Sequence, residues 1–299
     1  MNFIAMRKYS FAISALLVII GLYAIITGGL TLGVDFTGGT ILHLDMGREF
    51  TLGEVRDVLA PFGLEGSSVQ KVSEGLGEED KKEVLIKTPE LTPQKRDEVL
   101  AAFGANFNLT DNSILRVENV GAVIGRELTR QAFLALLIAT IGIIIYITFR
   151  FEFRFAITAI IALLHDILAV VAFFYLFRLE VNSPFIAALL TIMGYSINDT
   201  IVIYDRIREN LKKRHKQTLA EIVNTSIGQS LRRSIFTSLT TLFVLTTLFI
   251  FGGVTLRAFI SAMLVGVAFG TYSSIFVASP LWLQWKEFDS RKKTKAKAA

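Results

Sequence analysis

The sequence predicts an α-helical membrane protein of six transmembrane helices, with an α+β ferredoxin-like domain (βαββαβ) inserted after the first helix. Three observations carry that prediction. Of the 299 residues 52% are apolar and the mean hydropathy is +0.53, which excludes an ordinary soluble domain. Charge is concentrated between apolar runs of about 20 residues, the length that crosses a bilayer core. Between the first two runs hydropathy falls, and charges of both signs mix with strand-like and helix-like periodicities.

The runs fall at residues 11–30, 131–149, 155–177, 181–204, 234–254 and 258–285. The third and fourth each hold an acid but are long enough to cross. Arg7 and Lys8 precede the first run, which is long and lacks an A-x-A site after it, so it reads as an uncleaved anchor. Cysteine is absent, which removes disulfides and thiolate metal sites.

Positive charge has a direction. With loops assigned alternately to two sides, one side collects Arg7, Lys8, Arg150, Arg154, the basic stretch from Arg206 to Arg233, and a tail with six basic residues from Lys286 to Lys297. The short loops opposite hold Arg178 and Arg257. The positive-inside rule places both termini and a loop at 206–231 in the cytoplasm. The division is then an amino terminus and first helix at 1–34, an outer domain at 35–127, helices two to six at 128–285, and a basic tail at 286–299 that reads as an anchor at anionic lipid. Trp282 and Trp285 fit an inner interfacial belt.

Within the outer domain, residues 34–45 are β-rich and 51–62 form an amphipathic helix opened by a Thr51/Glu54 capping-box signal. Residues 69–73 and 83–88 read as strands across a Gly-rich acidic turn, 92–103 as a second helix and 113–120 as a closing strand. His43 reads as a half-exposed strand residue with no second ligand nearby. Gly38 and Gly39 lack the following helix of a phosphate loop and read as a bulge or close approach. No catalytic constellation is visible, so the domain reads as a binding or moving part.

The chemistry lies in the membrane. Asp199 sits six residues before Asp205, hence about 9 Å inside that boundary. A carboxylate there costs at least about 2.5 kcal/mol on insertion scales, which marks a proton or ion site or a paired charge. Thr191, Gly194 and Asn198 recur on one face, suited to a helix interface, and Asn198, beside Asp199, is also expected in the ion pathway. On helix five, Arg233 shares a face with Thr237, Thr240 and Thr241, whereas Arg232 aligns with Phe236, Leu239 and Phe243; Arg233 is therefore the expected partner of Asp199 and Arg232 the snorkelling one. Asp166 lies twelve residues from both Arg154 and Arg178, near the midplane, on a face of Ala159, Ala162, Ala169 and Ala172. That face points the acid at another helix or a water file, and His165 beside it titrates in a range useful for proton movement. Helix six repeats Ala262, Gly266, Gly270, Ser274 and Ala278, a stripe for close packing within the bundle or against a second subunit.

VDFTGGT (34–40), VGAVIGREL (120–128), GYSINDTIVIYDRIREN (194–210) and RRSIFTSLTT (232–241) together resemble the SecF branch of the SecD/SecF family. The likeness runs through nearly the whole chain in order, with Ala122 standing where the family often has proline. It implies half of a resistance-nodulation-division (RND) type bundle in a bacterial inner membrane, paired with SecD and associated with SecYEG, with YajC and YidC as further candidates. It also implies that proton flow moves the outer domain to promote export of an unfolded polypeptide, and it maps the essential acid and arginine onto Asp199 and Arg233. Membrane lipids are a further expected partner. No cofactor or nucleic acid is expected; the coupling ion is a proton, with Na⁺ left open. Two other readings stay open: a homomeric exporter of small molecules or lipids, separated by co-purification with SecD, and a non-transporting scaffold, separated by Asp199→Asn. An enzyme is disfavoured, since no nucleophile–base pair, zinc motif or phosphate loop is present.

Overall fold

A computed structural model describes residues 3–72, 82–213 and 217–298. Among these, six helical spans are long and apolar enough to cross a membrane: Ile4–Ile26, Ala122–Arg150, Phe153–Leu176, Ser183–Lys212, Leu219–Phe251 and Arg257–Ser290. They contain α1 (Arg7–Ile26), α5 (Ala122–Arg150), α6 (Phe153–Leu176), α7 (Ser183–Lys212), α8 (Leu219–Phe251), α9 (Arg257–Ser273) and the start of α10 (Ser279–Ala298). The last span does not break between α9 and α10, because a π-helical segment, Ser274–Ala278, joins them.

Local chemistry sets the helix ends. Left-handed Gly28 follows α1. The side chain of Asn182 accepts from Phe185 N (3.1 Å) to cap α7, whose first turn also holds Pro184. Thr218 and Glu221 form a capping box at α8. With α7 running to Lys212 and α8 starting at Leu219, the loop expected at 206–231 is mostly helix. Amphipathic helix ends extend past the apolar zone and stay paired through Asn210 Nδ2 to Ser226 Oγ (2.9 Å) and Arg206 Nε to Gln229 Oε1 (2.6 Å).

Between α1 and α5 lie β1 (Thr31–Leu32), α2 (Val34–Thr37), β2 (Gly39–Asp45), α3 (Leu52–Leu59), β3 (Ser68–Val72), β4 (Glu83–Thr88), α4 (Pro93–Phe107) and β5 (Ile114–Val120). The main sheet has the order β3-β4-β2-β5, every neighbour antiparallel. From β2 onward the elements run βαββαβ, as expected. The helices α3 and α4 cover one face over a core that includes Leu42, Leu44, Ile86, Val99 and Phe103. The expected strand at 34–45 begins only at Gly39, because Val34–Thr37 form a helical turn. The acidic turn expected between β3 and β4 lies mostly outside the described residues.

The other sheet face looks toward the helical bundle. Lys87 of β4 pairs with Glu180, and Arg116 Nη1 of β5 donates to Thr255 Oγ1 (3.2 Å) between α8 and α9. A second, two-stranded sheet, not legible in the sequence, joins β1 in parallel to β6 (Glu180–Val181). Trp282 departs from the interfacial-belt expectation: it is fully buried, stacked on Phe155 at 4.5 Å, while Trp285 remains partly exposed.

Candidate functional site

Within the bundle, hydroxyls and two acids form a polar seam where α6, α7, α8 and α9 meet. Close backbone approach makes that seam possible. At Gly266 a Cβ would lie 2.3 Å from Ile192 Cδ1, and at Gly270 it would lie 3.1 Å from Ser196 Cβ, so both glycines press α9 onto α7. Ala262, Gly266, Gly270, Ser274 and Ala278 are all buried. The small-residue stripe is therefore a contact inside this chain and not a seam for a second subunit. Gly194 has the opposite character: it is exposed, with Thr191 and Asn198, and a Cβ there would meet nothing within 4 Å.

Asp166 is fully buried on α6, and its alanine face is buried with it, as the spacing indicates. Ser196 Oγ (2.5 Å) and Ser273 Oγ (2.7 Å) donate to its Oδ2, and His165 Nδ1 lies 2.9 Å from Oδ1. One carboxyl thereby ties α6 to α7 and α9. Among the described residues His165 Nε2 is buried without a hydrogen-bond partner, and the ring sits beside Phe269 and Tyr272.

Asp199 lies one turn after Ser196 on α7 and is 7% exposed. Its Oδ2 accepts from Thr271 Oγ1 (3.1 Å), and that hydroxyl is also bonded to Ser238 Oγ of α8. Ser234, 1% exposed, stands one turn before Ser238 on the same face of α8. Thr200 Oγ1 meets Ser274 Oγ at 2.8 Å and closes the seam below. A cavity of about 10 Å³, the room of a single water, is lined by Asp199, Asn198, Thr237, Ser238 and Thr271.

Arg233 differs from the expectation of a direct pair. It is exposed on α8, and among the described residues no ion pair joins it to Asp199. Arg232, also exposed, lies 5.6 Å from the Phe236 ring. The groups that touch Asp199 are hydroxyls that the sequence reading passed over. Their signal was present: Thr271, Ser273 and Ser274 crowd one short stretch of an apolar helix, and the π segment starts there, with Ser279 Oγ donating to Ser274 O (2.9 Å).

A second constellation joins this bundle to the α/β domain. Asp35 Oδ2 accepts from Ser183 N (2.7 Å), the first residue of α7, and Gly33 N donates to Val181 O (2.8 Å). The turn α2 rests against the start of α5, where a Cβ at Gly125 would be 3.0 Å from Phe36 O. Gly38 (φ +77°) passes Ala122 Cα, and Gly39 (φ +149°) passes Thr88 O, the close approach expected of this glycine pair. Ala122 N donates to Glu90 Oε2 (3.2 Å), a bond that proline at this position lacks.

The glycine pair and the seam coincide with two family signatures. Residues 23–44 match the SecD/SecF GG motif, and residues 100–288 match the family described as protein export membrane protein SecD/SecF, C-terminal. The chain belongs to the SecD/SecF family. It is 42% identical to the protein translocase subunit SecF of Thermodesulfovibrio yellowstonii over 94% of this chain and 93% of that one. It is 39% identical to protein translocase subunit SecDF of Bacillus subtilis, covering 97% of this chain and 39% of that protein. The crystal structure of SecDF, a translocon-associated membrane protein from Thermus thermophilus, superposes with a TM-score of 0.85 at 39% identity, over 96% of this chain and 39% of that one. The chain thus spans about two-fifths of the SecDF proteins it matches and nearly all of SecF. This SecD/SecF likeness also supports the half-bundle architecture expected of an RND-type fold.

Proposed function

We propose that this chain is an accessory subunit of the Sec protein translocase that works with a SecD-type partner, not an enzyme, and that proton flow through the seam promotes late export of polypeptides. The observation that carries the reading is Asp199, held by hydroxyls at a junction of three helices in a SecD/SecF-family bundle. Fusion of both halves in the SecDF relatives supports a SecD partner, whose place is the exposed Gly194, Asn198 and Thr237 side of the bundle. The SecYEG channel, with YajC and YidC, completes the proposed assembly in a bacterial inner membrane, with both termini cytoplasmic and the α/β domain outside.

An ionised Asp199 accepts the Thr271 hydroxyl under the field of Arg233. A proton arriving from outside converts an acceptor oxygen to a donor, so the Thr271–Ser238 pair must reorient and α7, α8 and α9 shift. The first residue of α7 is bonded to Asp35, and Glu180 just before it to Lys87, so motion of α7 reaches the outer domain. One charge falling through 100 mV yields about 2.3 kcal/mol, a bias of about fiftyfold between two states, enough to ratchet an exposed chain and not to unfold a substrate.

The test is secretion into inverted membrane vesicles with and without a proton gradient. Asp199→Asn should abolish the gradient-dependent increment while still co-purifying with SecD. Normal stimulation by that variant would leave the scaffold reading, and absence of SecD from the purified complex would leave the homomeric exporter. A Na⁺ gradient imposed alone should not stimulate; if it does, the coupling ion is Na⁺.

A further inference from the structure

On the face of the bundle opposite the α/β domain, a groove of about 540 Å³ opens between the first residue of α1, the early turns of α6 and the face of α10. That volume lies within the range of small-molecule sites. Its lining is aliphatic at Ile161 and Leu281 and aromatic at Trp285 and Phe288. Leu281, Gln284, Trp285 and Phe288 recur at i, i+3, i+4 and i+7, so one helical face builds one side.

The lining carries two opposite charges, Arg7 and Glu287. Several neighbouring charges are internally matched: Arg154 with Asp289, Lys286 with Glu152 (3.4 Å) and Arg150 with Asp205 (3.7 Å). Among the described residues neither Arg7 nor Glu287 has an ion-pair partner, and both are only partly exposed. A cation and an anion in one groove with apolar residues, at the end of the bundle where the basic residues gather, complement a zwitterionic phospholipid. A phosphate takes the Arg7 guanidinium and a primary ammonium donates to the Glu287 carboxylate, with Gln284 beside them for ester oxygens. A glycerol headgroup leaves Glu287 facing a net negative lipid, and a trimethylammonium cannot donate to it.

We propose that this groove is a binding site for phosphatidylethanolamine. The test is native mass spectrometry of the full-length chain titrated with phosphatidylethanolamine, phosphatidylcholine and phosphatidylglycerol of identical acyl chains. Phosphatidylethanolamine should be retained about fivefold more strongly than phosphatidylglycerol, the factor one partly buried ion pair supplies. Glu287→Gln should erase that preference. Ile161→Trp, which fills the groove without altering a charge, should lower phosphatidylethanolamine occupancy, with thermal midpoints confirming that both variants fold. Equal retention of the two lipids by the wild type, a preference that survives Glu287→Gln, occupancy undiminished by Ile161→Trp, or phosphatidylcholine bound as well as phosphatidylethanolamine would each overturn the assignment.

Discussion

A buried carboxylate is held by whatever touches it, and at Asp199 that is Thr271, backed by Ser238. A hydrogen bond to a charged group contributes about 1.5–3 kcal/mol, so Thr271→Val, which keeps shape and loses the donor, should cut gradient-stimulated export about tenfold, while Thr271→Ser should preserve it. In the proposed mechanism Arg233 acts differently, through space from an exposed position. In the vesicle assay Arg233→Lys should therefore retain most activity and Arg233→Gln lose it; equal loss in both would restore a direct, geometry-dependent pair. The helical-face argument made Arg233 legible because charge and face are both properties of sequence spacing. It could not order the contacts, since which hydroxyls reach Asp199 depends on how closely α9 lies against α7, and two glycines set that distance.

The elements show the same division between what local sequence dictates and what packing adds. The capping box of α3 was readable because both partners are three residues apart: Glu54 N donates to Thr51 Oγ1 (3.2 Å) and Thr51 N to Glu54 Oε1 (3.1 Å), with Arg48 on the other oxygen (2.9 Å). The bond from the Thr51 backbone first, then the Thr51 hydroxyl and Arg48, hold the Glu54 carboxyl below its ordinary value of 4.5. A carboxyl lowered on folding adds stability above that value, and the contribution is lost as pH falls through the lowered one. The gap in thermal midpoint between wild type and Glu54→Gln should thus be constant from neutral pH to about 4.5 and close below it. The parallel β1–β6 pair, by contrast, had no signal, because two residues from loops about 150 positions apart meet only once the bundle is built. The small stripe of α9 was readable as a stripe but not as to its partner. There Gly266→Ala should cost about 1–3 kcal/mol by driving a methyl into Ile192, and Ile192→Ala in the same chain should recover most of it, read as thermal midpoints in detergent.

At the scale of the whole molecule, the joint between bundle and outer domain decides whether motion in one reaches the other. The joint is short and polar: Asp35 on the first residue of α7, Lys87 on Glu180 just before it, Arg116 on Thr255 between α8 and α9, and the α2 turn seated on α5. An ion pair of this partly exposed kind contributes little to stability, so it suits a contact that breaks and reforms. Hydropathy marked the two domains and the glycine pair marked a close approach, but the face the sheet presents to the bundle depends on strand register and was not readable. If the joint must open for export, holding it closed should stop transport without touching Asp199. The chain has no cysteine, so Lys87→Cys with Glu180→Cys supplies two unique thiols. Bridging them with a short cleavable thiol-reactive crosslinker should abolish gradient-stimulated secretion into vesicles, cleavage should restore it, and either single substitution should respond to neither treatment. Undiminished stimulation in fully bridged protein would mean that the outer domain works in a fixed orientation and that the seam drives something other than its movement.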